Sequence, residues 1–234
     1  MSGIGNEIGP VSSVSAIIAL IREIKAHLET RLPGEPGVDE VLKGLAGTDL
    51  SPDKAVERQP QDPPPSAFLD VALRSVPKPE LGPLAEAIEA ANPHLHWRHG
   101  GTYERDAVGA SYEDGHAFCD LVGPEVKRGV ILAEDFRLGL FVLGPGIFYR
   151  DHNHPAPELY LTLTGPTGWR FGHGPWQDLP AGAVVWNEPG QIHATRIYDR
   201  PLLTVYSWTR SVLDKCHLHP ADDWPEVERD LRRG

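Results

Sequence analysis

Sulfur is scarce in this chain: 234 residues hold two cysteines, Cys119 and Cys216, and one methionine. Two cysteines so far apart do not make the disulfide framework of a small secreted domain. Cys216 sits in the run CHLH, which lacks the companions that a second metal site would need. Positive charge is also short. Lysine and arginine number 22 against 33 aspartates and glutamates, a formal net charge of −11. A chain so acidic is a poor partner for nucleic acid or for an anionic membrane, both of which need basic patches. Long apolar runs are absent as well. The patch at 16–21 runs straight into Arg22, Glu23 and Lys25, with no basic start and no small-residue cleavage site, so neither a signal peptide nor a membrane span is expected. The chain reads as soluble and cytoplasmic, and it is long enough to bury a full core.

What is present falls into two parts. Residues 11–32 place Val14, Ile17, Ile18, Ile21, Ile24 and Leu28 at three- and four-residue steps, which predicts an amphipathic helix capped by Ser12 or Ser13 and ended by Pro33-Gly34. A short helix is expected at 39–45, and two more at 66–75 and 80–91. Between them, residues 51–66 carry five prolines and read as a linker or as chain draped over a surface. From Leu95 onward the period shifts to two, with short apolar runs punctuated by glycine and proline. Strands are expected at 129–134, 137–143, 158–164, 167–172, 183–187, 192–198 and 201–208. The organisation is therefore a helical extension with a proline-rich linker over 1–94 and a β-sandwich or small barrel over 95–234.

The barrel half contains the chemistry. Residues 146–165 read GIFYRDHNHPAPELYLTLTG. His152 and His154 are two apart, so on an extended segment both imidazoles point the same way. Glu158 follows the turn Pro155-Ala156-Pro157, and His193 comes just past a second turn, Pro189-Gly190. Three imidazoles and one carboxylate suit a single divalent transition metal ion such as iron, zinc, manganese or nickel. On the strand that opens at Glu158, Glu158, Tyr160, Thr162 and Thr164 share one face and Leu159, Leu161 and Leu163 the other. If Glu158 faces a metal inside the barrel, the leucines face outward and need cover from the N-terminal helices, a sheet edge or a second subunit, for instance in a homodimer. His94, His96, His99, His116, His173, His217 and His219 have no ligand set around them and are expected to be solvated or structural.

The pattern G-x5-H-x-H-x3-E-x6-G is satisfied from Gly146 to Gly165 and resembles the first motif of the cupin superfamily. Gly190 to His193, G-x2-H, resembles the core of the second, with one extra residue between Gly182 and Pro189 and with Ile197 where many cupins have asparagine. Neither departure removes a ligand. The resemblance implies a cupin barrel (a double-stranded β-helix, or jelly roll), mainly β with helices in front. A narrower pattern, Y-x2-H-x-H-x3-E-x-Y from Tyr149 to Tyr160, is similar to that of the bacterial cupin-type dimethylsulfoniopropionate lyases. In that family a tyrosine two residues after the ligand glutamate is the catalytic base, which implies this role for Tyr160. It also implies a part in binding or catalysis for Tyr149.

The activity so implied is a metal-dependent cleavage of a small zwitterionic sulfonium substrate into dimethyl sulfide and acrylate. A cation at the substrate carboxylate would ease removal of the neighbouring proton, and aromatic faces would hold the sulfonium. Among the aromatics on candidate strands, Trp208, Tyr206 and Trp186 are the expected substrate contacts. Two other functions stay open for the same ligands: a cupin dioxygenase and a non-catalytic ligand-binding cupin.

Overall fold

The computed structural model describes residues 13–233; Ser12, one of the two candidate helix caps, lies outside the described residues. Helices α1 (Ser13–Arg31), α2 (Val38–Ala46), α3 (Phe68–Ser75) and α4 (Lys78–Ala91) come first. Two short helical segments follow, α5 (Arg105–Val108) and α6 (Ala110–Gly115). The strands are β1 (His116–Gly123), β2 (Ile131–Leu132), β3 (Arg137–Leu143), β4 (Phe148–Asn153), β5 (Glu158–Thr162), β6 (Thr167–Phe171), β7 (Gln177–Leu179), β8 (Val184–Asn187), β9 (His193–Arg196), β10 (Leu202–Trp208) and β11 (His217–Leu218), and α7 (Trp224–Leu231) closes the chain. They form a six-stranded sheet, β2-β1-β3-β10-β5-β8, and a five-stranded sheet, β11-β4-β9-β6-β7. Apart from the parallel β1–β2 pair, the pairings within both sheets are antiparallel. This is the expected cupin barrel with helices before it.

The two faces of the six-stranded sheet have different occupants. Leu159, Leu161 and Leu163 join Leu138, Leu140, Leu203 and Val205 in one cluster with Ile17, Leu20, Ile21, Ile24 and Leu28 of α1 and Leu81, Leu84 and Ile88 of α4. The opposite face carries Phe141, Tyr160, Val185, Tyr206 and Trp208 and looks into the barrel. The cover that the leucine face needs is thus the helical layer. Burial of this apolar surface is a major source of stability. Ile21 is fully buried at its centre. Ile21→Ala is therefore expected to cost about 2–5 kcal/mol in urea denaturation, with the ligand cluster on the other face of the sheet unchanged.

Residues 51–66 are draped rather than free. Val56 donates to the Val130 carbonyl, and Gln61 exchanges backbone hydrogen bonds with Leu95 and Trp97. Arg58 pairs with Glu125 at 2.7 Å. The sequence pattern did not bring out β1, because it carries Asp120 among its apolar residues. Asp120 is buried there with Arg98, Arg137 and Tyr206 as partners. Short β7 and β11 and the terminal helix α7 also lie outside the expected elements.

Candidate metal centre and cavity

The Y-x2-H spacing has a structural cause. Strand β4 pairs with β9 through Tyr149↔Thr195 and then His152↔His193, three residues on β4 against two on β9. This extra residue is a bulge. Without it Tyr149 and His152 would alternate to opposite faces; with it their rings stack, 3.9 Å between centroids. His193 follows the turn at Gly190, which has φ +76° and so favours glycine. His154 lies just past the end of β4, held by its Nδ1 to the Ala156 carbonyl at 2.8 Å.

His152, His154 and His193 are all buried, and their ligand nitrogens lie within 4.8 Å of one another. The Nδ1 of His152 faces the Arg150 carbonyl at 2.8 Å, and that of His193 the Gln191 carbonyl at 2.9 Å. Each Nδ1 beside a carbonyl oxygen must carry a proton, so each ring, when neutral, presents a bare Nε2 lone pair. Burial, and then the nearby His193 and His154, push His152 well below the usual histidine range, which keeps it neutral.

Glu158 Oε2 lies 3.1 Å from His154 Nε2 and 3.3 Å from His193 Nε2, and the latter nitrogen has no hydrogen-bond partner among the described residues. Burial acts to raise the Glu158 carboxyl, but positive charge at His154 and His193 outweighs it and holds it well below the usual range; with those rings neutral, no positive charge faces the carboxylate. Acceptors therefore meet acceptors. Such an arrangement is stable only with a cation or an added proton between them. The donor set fits a divalent metal ion.

Two neighbours fix the carboxylate. Glu158 stands opposite Trp208 on β10 and Asn187 on β8. Trp208 Nε1 donates to Oε1 at 2.7 Å, and Asn187 Nδ2 donates to Oε2 at 3.2 Å. Sequence reasoning missed Asn187, which belongs to no motif and whose role arises only from pairing across 29 residues.

A cavity of about 520 Å³ opens beside Glu158. Tyr160, Tyr149, Tyr112, Tyr206 and Trp208 line it, together with Cys216. Tyr149 stacks on Tyr112 at 4.2 Å and its hydroxyl meets that of Tyr103 at 3.1 Å. Burial, then the charge on Glu158, pushes the Tyr160 phenol well above its ordinary range. Cys216 reaches this wall but burial pushes its thiol up to about 11, so it is an unreactive thiol there.

Of the three expected substrate contacts, Trp208 and Tyr206 do line the cavity, but with Arg137 at their rings. Its guanidinium carbon lies 5.2 and 5.3 Å from the two ring centroids. Trp186 does not line the cavity, and that expectation is corrected. It pairs with Leu159, so it shares the outer face, where it packs on the helical side. The approach to Gly37 is so close that a Cβ there would fall 2.0 Å from the ring. His116 is buried, with Nδ1 against the Tyr112 carbonyl and Nε2 accepting from the Gly100 amide, and is structural as expected.

A buried three-histidine cluster, set behind the Glu158 that lines a tyrosine-walled cavity, inside a two-sheet barrel, marks a protein of the cupin class with a cluster suited to a metal ion. The sequence profile of the dimethylsulfoniopropionate lyase family matches residues 38–204, more than half of the chain, and the protein belongs to that family. The dimethylsulfoniopropionate lyase DddQ of Ruegeria pomeroyi is 29% identical over 167 residues, which cover 70% of this chain and 80% of that protein. A crystal structure of DddQ from the same organism superposes with a TM-score of 0.66 at 25% identity, over 87% of this chain and 95% of that one. Among the described residues no helix is long and apolar enough to cross a membrane.

Proposed function

We propose that this protein cleaves dimethylsulfoniopropionate to dimethyl sulfide and acrylate, with Tyr160 as the base. The observation that carries the proposal is the placement of Tyr160 on the inner face of β5, two residues from Glu158 and at the wall of the same cavity. His152, His154, Glu158 and His193 would hold a divalent ion, which as a Lewis acid would offset the charge of a substrate carboxylate and favour the phenolate form of a nearby tyrosine. Tyr160 then takes the proton from the carbon next to the carboxylate. The electron pair forms the new carbon–carbon double bond as the carbon–sulfur bond breaks, and dimethyl sulfide leaves neutral, needing no acid. The resident guanidinium of Arg137 repels a second cation from the Trp208 and Tyr206 rings, so the sulfonium rests against Tyr112, Tyr149 and Phe141. Among the described residues, none before Leu95 supplies a side chain to this cavity; in the division into 1–94 and 95–234, the described part of the first supports the barrel and that of the second carries the site.

Headspace chromatography of metal-loaded protein mixed with substrate, under air and under nitrogen, tests this. Equal release of dimethyl sulfide in both is the expected result. Release only under air would indicate an oxygenase, and binding without release a non-catalytic cupin. The clamp on Glu158 has its own test. Trp208→Phe removes one donor and keeps a ring against His154, and metal affinity should fall about 10–100-fold, measured by competition with a chromophoric chelator.

A further inference from the structure

The cavity also has a basic side. Arg98, Lys127 and Arg137 all line it, and one carboxylate, Asp120, serves them. Arg137 gives Asp120 hydrogen bonds from Nε at 2.8 Å and Nη2 at 3.2 Å, Arg98 adds a third through Nη2, and the Tyr206 hydroxyl a fourth at 2.7 Å. Asp120 and Arg137 are 4% and 6% exposed, so little water screens them. Three cations thus face one anion. Lys215 and Asp214, which also line the cavity, add one charge of each sign, and Glu158 is engaged by His154 and His193. Arg98 Nε is buried with no partner among the described residues. Lys127 is pushed below the usual lysine range by partial burial and then by Arg137, as expected where positive charge is in excess.

A half-buried cluster with surplus positive charge is stabilised by a counter-anion. Flat aromatic walls, Phe118 under Arg98 at 4.6 Å and Trp208 against Arg137, leave room for a small planar one, and a carboxylate matches the fork of a guanidinium. We propose that Arg98, Lys127 and Arg137 form an anion subsite, separate from the histidine cluster, that holds a small monocarboxylate. Its role as a place for the acrylate product to leave the reacting centre rests on the lyase reading; the binding itself does not.

The test uses full-length protein loaded with cobalt, whose visible spectrum responds when a carboxylate joins its ligands. Calorimetric titration with propionate, an unreactive analogue, counts everything that binds. The expected result is a carboxylate bound per chain that leaves the cobalt spectrum unchanged. Arg98→Met and Lys127→Met should each weaken that event by about tenfold or more, the worth of one charge-assisted hydrogen bond, and propionamide should not compete for it. If every propionate bound is accounted for by the cobalt spectrum, or if both variants bind as the parent does, the subsite does not exist. A protein that binds propionate in this way yet releases no dimethyl sulfide would overturn the lyase reading and leave the subsite standing. Release of dimethyl sulfide without such binding would do the reverse.

Discussion

Tyr160→Phe is expected to lower turnover by about 10²–10⁴-fold, the usual contribution of a positioned general base, while fold and metal content stay as they are. The substitution removes one oxygen and keeps the ring, which rests on Trp169 with centroids 5.2 Å apart. Burial and the charge of Glu158 both oppose the phenolate of Tyr160, so the active form needs a cation at the neighbouring cluster, and turnover should rise as pH is raised. Tyr149 is the rival. Its phenol is also pushed up, by burial and then by Tyr103 and Tyr112, but its hydroxyl is engaged with Tyr103 and its ring is committed to stacking on His152. Tyr149→Phe should consequently reduce turnover less, through loosened packing of the tyrosine wall. The two variants are compared at full metal occupancy. Near-parental activity in Tyr160→Phe would remove the assignment, and a collapse in Tyr149→Phe alone would transfer the role.

The sequence carried the centre of the site because its spacing is local. His152, His154 and Glu158 lie within seven residues of one another, and the alternation of β5 told which face looks inward before any partner strand was known. That same alternation required a cover for Leu159, Leu161 and Leu163, which α1 and α4 provide. What could not be read depends on pairing across long separations. Trp186 looked like a barrel aromatic, yet its face is set by its register opposite Leu159. Arg137 and Asp120 carry no local signal of a buried pair, and they are buried because each answers the other across neighbouring strands. The Arg137 that alters where a sulfonium can rest was invisible for the same reason. Asn187 gained its function only by lying beside Glu158, and α7 was missed although it holds the barrel from outside through Trp224 to Asp151 and Glu228 to Arg150.

Loss of metal is the expected result of His193→Ala, and by a larger factor than the roughly 10–100-fold typical of outer groups such as Trp208. In the triad each Nδ1 is committed to a backbone carbonyl, so each Nε2, when its ring is neutral, is an acceptor; among the described residues His193 Nε2 has no hydrogen-bond partner. Removing that ring leaves two imidazoles and a carboxylate, and opens space for water on the side that His193 filled. Glu158→Gln should also lose metal, for a different reason. It keeps the shape but deletes the one formal negative charge in the ligand set, and its amide NH2 must face the N–H of either Trp208 or Asn187, whichever oxygen it replaces. Because a ligand that binds only the folded state adds stability in proportion to the logarithm of its saturation, chelation should lower the melting temperature of the parent and leave that of His193→Ala almost unchanged. His116→Ala serves as the control: it is a buried histidine with both nitrogens engaged elsewhere, and it should retain one equivalent of metal even if it melts earlier. Elemental analysis of the purified proteins decides the matter. One equivalent of metal in both His193→Ala and Glu158→Gln would show that the ion, if any, is held by another set of groups, and the lyase chemistry built on this cluster would fall with it.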